Sequence, residues 1–122
     1  MDRSARVLTD GRPVTDDHRE INPATGQQKA YVVLTAEERA KGFVRPVRRT
    51  YIHAGLNPTM NGIFLIKPGE HGCGARTTMG EALAETYARD PYFYSGTFCS
   101  SCKEHRPLEE FIWPDDGTVL GT

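Results

Sequence analysis

The sequence is poor in the residues that usually hold a small protein together. Only 38% of its 122 residues are hydrophobic and 9% aromatic, so the chain can bury no more than a thin core. This length has room for one domain, and domains with thin cores generally need a staple. Cysteine is scarce too: there are three, and an odd count argues against a closed disulfide framework. That count, with no signal-peptide pattern after Met1, points to a reducing compartment, the cytoplasm. No apolar run approaches the roughly 20 residues that cross a bilayer, which excludes a membrane helix. A net charge of −1 gives no overall field to recruit nucleic acid or an anionic surface. The glycine-flanked run from Gly72 to Thr78 lacks the lysine of a phosphate-binding loop, so nucleotide hydrolysis has no support there.

The most informative stretch is Thr97-Phe98-Cys99-Ser100-Ser101-Cys102. Two cysteines three apart on a tight turn place both sulfurs on one side, ready to grip a tetrahedral metal ion. Cys73, between Gly72 and Gly74, reads as half of a second knuckle, because glycine lets backbone amides approach a sulfur. Three thiolates and one histidine make a closed structural zinc set. The fourth ligand is open at this stage. His71 leads, because two residues from Cys73 in an extended segment both side chains face the same way. His53, at the end of an extended stretch, is the alternative, and His105, three residues after Cys102, is a third. His18 lies far from the cysteines and is given no role. Without a metal, the cysteines would be small buried hydrophobes or free thiols. A cysteine nucleophile with His71 as base lacks an orienting third group.

Along the chain, residues 1–28 are polar and turn-rich and read as an extended arm, leaving 29–122 as a single zinc-binding domain. Tyr31–Leu34 has strand composition. Thr35-Ala36-Glu37-Glu38 matches a capping box for a short helix ended by Gly42. The stretch Phe43–His53 looks extended but begins irregularly, because Pro46 cannot donate to a ladder. Gly62–Ile66 is a strongly apolar strand. A second capping box, Thr78-Met79-Gly80-Glu81, opens the main helix, about 78–90. Its face of Met79, Ala82, Leu83, Thr86 and Tyr87 has helical spacing, and Asp90-Pro91 stops it. Pro107–Phe111 suggests a single helical turn. The expected fold is α+β: a small zinc-stapled domain with a few short antiparallel strands, one main helix and an extended N-terminal arm.

Charge is unevenly spread. Residues 31–60 carry five basic and two acidic side chains, and residues 91–122 the reverse, two and five. Arg45, Arg48 and Arg49 could form a basic stripe that neutralises phosphates, with Tyr92, Phe93 and Tyr94 as stacking surfaces for bases. The alternative is that these arginines pair with the acidic C-terminal region and the aromatics belong to the core.

The knuckle resembles phage and bacterial zinc modules of the HNH and recombination endonuclease VII class. Those carry CxxC, a few polar residues, Lys-Pro-Leu-x-x-Phe and a later Asp-Gly, matched here by Cys99, Cys102, Arg106-Pro107-Leu108, Phe111 and Asp116-Gly117. The position of His105 is not a ligand in that pattern. The modules continue into a second CxxC and a histidine-rich catalytic segment, which have no counterpart here, so the resemblance does not carry nuclease activity over. More broadly, residues 31–54 and 73–113 are similar to short phage and prophage proteins of unassigned function, on the runs Glu38–Arg49, Cys73–Met79 and Ala84–Pro91. The resemblance implies a viral or mobile-element origin and a bacterial host cytoplasm. The function expected is a non-enzymatic interaction protein that binds a host or viral protein, in an accessory or counter-defence role. A nucleic-acid-binding zinc module and a degenerate nuclease are the alternatives.

Overall fold

The strands of this chain are only three or four residues long, in keeping with the shortness of its apolar runs. The computed structural model describes residues 5–9, 11–14, 21, 23–24, 26–27 and 31–120. Among them, eight strands pair two by two, all antiparallel, and no pair joins another into a larger sheet. Strand β1 (Arg6–Leu8) pairs with β2 (Val32–Leu34), and β3 (Thr50–Ile52) with β6 (Arg76–Thr78). Strand β4 (Thr59–Asn61) pairs with β5 (Phe64–Lys67), and β7 (Gly96–Cys99) with β8 (Glu104–Pro107). Helix α1 (Ala36–Arg39) follows β2, and helix α2 (Glu81–Arg89) lies between β6 and β7. The chain is a small α+β domain with one main helix.

Two-stranded ribbons are marginal alone in water, so they must be stitched together. One stitch is an isolated bridge between Ile52 and Ile112, whose N–H and C=O groups bond reciprocally at 3.0 Å. Another is Thr86, whose hydroxyl accepts from the Leu34 amide at 3.2 Å and donates to the Ala82 carbonyl at 2.8 Å, tying α2 to β2.

The main core collects Tyr51, Met79, Ala84, Tyr87, Cys99, Leu108, Phe111, Trp113 and Leu120. Few aromatics suffice because they meet edge to face: Tyr51 on Phe111 at 5.3 Å and Tyr87 on Trp113 at 5.8 Å, near the perpendicular. A smaller cluster of Ile52, Ala54 and Ile112 anchors the β4–β5 ribbon through Met60 and Leu65.

Three local expectations change. The helix predicted from about 78 begins at Glu81, with Gly80 as a cap that makes no side-chain bond. Thr78 belongs to β6 instead, where its hydroxyl meets that of Thr50 across the ribbon at 2.9 Å. The first capping box forms only in half. Thr35 accepts from the Glu38 amide at 3.2 Å, but the Thr35 amide bonds the Ala5 carbonyl, and Glu38 turns to Lys41 and Arg89. Finally, part of the segment read as an arm, Arg6–Leu8, is strand, and Leu8 is 1% exposed. Two apolar residues, Val7 and Leu8, are too short a run to show periodicity.

Candidate metal centre

Four side chains from two ribbon ends converge. His53 directly follows β3, Cys73 stands in the loop before β6, Cys99 ends β7, and Cys102 lies in the turn to β8. Their ligand atoms all fall within 4.8 Å of one another. Cys73 Sγ is 3.4 Å from Cys99 Sγ, and His53 Nδ1 is 3.3 Å from Cys73 Sγ and 3.4 Å from Cys102 Sγ. Four such donors on so small a perimeter can hold a metal ion.

The local backbone explains the convergence. The amides of Cys73 and Gly74 both donate to the His53 carbonyl, at 3.1 and 2.8 Å, which pins the loop against the end of β3. Gly72 is required by this close approach, since a Cβ there would lie 2.5 Å from the Ala54 carbonyl. In the β7–β8 turn, Lys103 adopts a left-handed φ of 57° and its amide bonds the Cys99 carbonyl at 2.8 Å. The Cys102 amide then donates to Cys99 Sγ at 3.4 Å, the backbone-to-sulfur bond of a knuckle.

His71, the leading sequence candidate, is outside the group. The expectation rested on an extended segment, but His71 has a left-handed φ of 67°, which turns its side chain away from Cys73. Its ring is exposed and meets Glu70 at 3.3 Å. His53, the alternative, occupies the position instead. His105 bonds Tyr31 at 3.1 Å and packs against Phe98. His18 lies outside the described residues.

Around the donors is a second set of residues, of which Arg106 and Phe111 stand in the knuckle pattern and Glu110 had no legible signal in the sequence. His53 Nε2 meets Glu110 Oε1 at 2.9 Å, both groups being nearly buried. Glu110 is gripped by Arg106, whose Nε and Nη2 donate to its two oxygens at 3.1 and 3.0 Å. Phe111 stacks on the imidazole at 4.7 Å. A carboxylate at Nε2 keeps the proton there and leaves Nδ1 as the lone-pair donor, the way metal-binding histidines are oriented. Burial would raise the Glu110 pKa, but its bonds to Arg106 and His53 outweigh this and hold it below the usual range.

The thiols are unequal. Burial acts to raise the Cys73 pKa, but the Ala75 backbone bond and bonds from Cys99, His53 and Cys102 bring it down to about 7. Cys102 is pushed up to about 12 by burial and by the neighbouring Cys99 and Cys73 sulfurs. A first thiolate forms readily, and further ones require a cation to offset their mutual repulsion.

The basic segment does not form a stripe. Arg48 is 7% exposed, lies 4.5 Å over the Trp113 ring and pairs with Asp116 at 2.7 Å. Arg49 donates to the Met79 carbonyl at 3.1 Å, and exposed Arg45 to the Val44 carbonyl at 3.0 Å. Of the three aromatics, only Tyr92 is turned out. No helix among the described residues is long and apolar enough to cross a membrane. No protein-family model matches this chain, and neither does any curated protein or solved structure.

Proposed function

We propose that this chain is a zinc-stapled, non-enzymatic interaction module that captures a protein partner with its β4–β5 ribbon. The observation that carries the reading is how that ribbon is dressed. Met60 and Leu65 face inward onto the small core cluster, so the alternate residues Phe64 and Ile66 share the outward face. They are 70% and 64% exposed, with Ile63 beside them at 40%. A contiguous exposed apolar patch of this kind marks an interaction surface.

The donor chemistry supports zinc as the ion. Three soft thiolates and one imidazole suit zinc, and four protein ligands leave no open position for a catalytic water. Edges of about 3.6–3.8 Å follow from ordinary zinc–sulfur and zinc–nitrogen bonds; three of the six separations are 3.3–3.4 Å and all lie within 4.8 Å. The partner class, a host or viral protein met in a bacterial cytoplasm, rests on the resemblance to short phage proteins. The nucleic-acid reading loses support because Arg48 is spent inside the fold.

The test has two arms. Elemental analysis of freshly reduced protein is expected to give one zinc per chain; none would overturn the staple. Partner capture is expected to fail for Phe64→Asp with Ile66→Asp and to survive Arg45→Ala with Arg49→Ala. The opposite pattern, with steep loss of binding in salt, would install the nucleic-acid reading instead.

A further inference from the structure

A cavity of about 410 Å³ opens where the β1–β2 and β3–β6 ribbons, helix α2 and the β7–β8 hairpin meet. Ligand sites occupy roughly 300–1,000 Å³. Its walls are unusually aromatic for a chain so poor in rings. Tyr87, Phe93 and Tyr94 come from α2 and the segment after it, and Tyr51 and Phe98 from β3 and β7. Tyr51, Tyr87 and Phe98 are 2%, 5% and 6% exposed, so the space adjoins a finished core.

The polar groups converge as they do in binding sites. Thr97 donates to the Tyr51 hydroxyl at 3.2 Å, and both residues line the cavity. Arg6 and His105 line it too, and no carboxylate is among the described lining residues. Burial lowers the His105 pKa and so favours the neutral ring. An aromatic lining favours a planar ring, the threonines and His105 at its rim favour a polar ring edge, and a lone guanidinium disfavours a cation.

We infer that this cavity is a binding site for a small planar heteroaromatic molecule, neutral or anionic, of the chemistry of a nucleoside or nucleoside monophosphate. The site goes beyond the interaction role and uses none of the exposed ribbon residues.

Gly80 supplies the means of testing it. It lines the cavity, has an ordinary φ of −69°, and a Cβ added there meets nothing within 4 Å. The metal-replete full chain is titrated calorimetrically with the four common ribonucleosides, their 5′-monophosphates and ribose 5-phosphate. At least one ring-bearing compound is expected to bind saturably, and ribose 5-phosphate is not. Gly80→Trp, with metal content and near-ultraviolet circular dichroism unchanged, is expected to weaken binding by about tenfold or more. Thr97→Val should weaken it about threefold to tenfold, the worth of one hydrogen bond, and decides the matter if Gly80→Trp fails to fold. Phe64→Asp with Ile66→Asp should leave this affinity unchanged, which separates the cavity from the partner surface. The inference is overturned if nothing saturates below about 1 mM, if ribose 5-phosphate binds as tightly as the nucleotides, or if folded Gly80→Trp binds like wild type.

Discussion

The two ends of this domain are held together by different chemistry. At one end, β1–β2, α1 and α2 are joined by polar contacts, most of them partly buried: Glu38 with Lys41 and Arg89, Arg39 with Glu85, and Thr86 with Leu34. At the other, β3, the Cys73 loop and the β7–β8 hairpin meet at four metal-capable side chains backed by Glu110 and Arg106. The first end spreads its stability over many contacts of modest value. The second concentrates it at one point, because ribbons of three or four residues have too little apolar surface to hold each other. A chain so short of core can therefore survive losing a contact at the first end more easily than losing a ligand at the second.

Removal of the metal is where that contrast should show most. Binding energies of about 10–16 kcal/mol for structural zinc are folding energies as well. Chelation, or Cys99→Ser, is expected to abolish cooperative unfolding and raise amide exchange throughout β3, β6, β7 and β8, while β1–β2 and α2 lose less protection. Uniform loss of protection would show that the two ends are one cooperative unit. At the first end, Glu38→Ala strips Arg89 and Lys41 of a partner that is 2% exposed. Because Lys41 is exposed and Arg89 only partly covered, a cost of about 2–3 kcal/mol is expected from denaturant unfolding, below the full penalty for orphaning a buried charge. Metal content should stay at the wild-type level.

Glu110→Gln sharpens the comparison at a finer scale. The variant keeps the shape but loses the charge that orients His53 and answers Arg106. Metal affinity in competition with a chromophoric chelator should fall about 10–100-fold, with the ion still bound at saturation. Unchanged affinity would make Glu110 a packing residue only.

What the sequence revealed follows the same division. Cys99 and Cys102 were legible because CxxC on a turn forces its sulfurs to one side, and Cys73 because glycine flanks it on both sides. The class of fold was legible from short β-branched runs and one amphipathic stretch. The fourth donor was not, because it depends on the φ of one residue, His71, and no local composition announces a left-handed non-glycine residue. The second capping box misled for a related reason. Thr78 satisfies its hydroxyl across the ribbon at Thr50, a residue 28 positions away, and pairing at that distance overrides the local motif. Glu110 and Arg106 were invisible as a pair with His53, because two acidic residues before Phe111 read equally well as a solvated helical turn.

The smallest expected effect is the one that bears most directly on this point. His71→Ala removes an exposed ring whose only polar contact among the described residues is a surface pair with Glu70, worth about 0–1 kcal/mol. Its left-handed φ makes the choice of replacement matter, since alanine tolerates that conformation poorly while glycine adopts it freely. His71→Gly should therefore match or slightly exceed wild-type stability, and His71→Ala should fall slightly below it, both with full metal content. His53→Ala, by contrast, should lose metal affinity and the packing on Phe111 together. If His71→Gly released the metal instead, the loop would have to extend on metal binding, returning His71 to the side of Cys73.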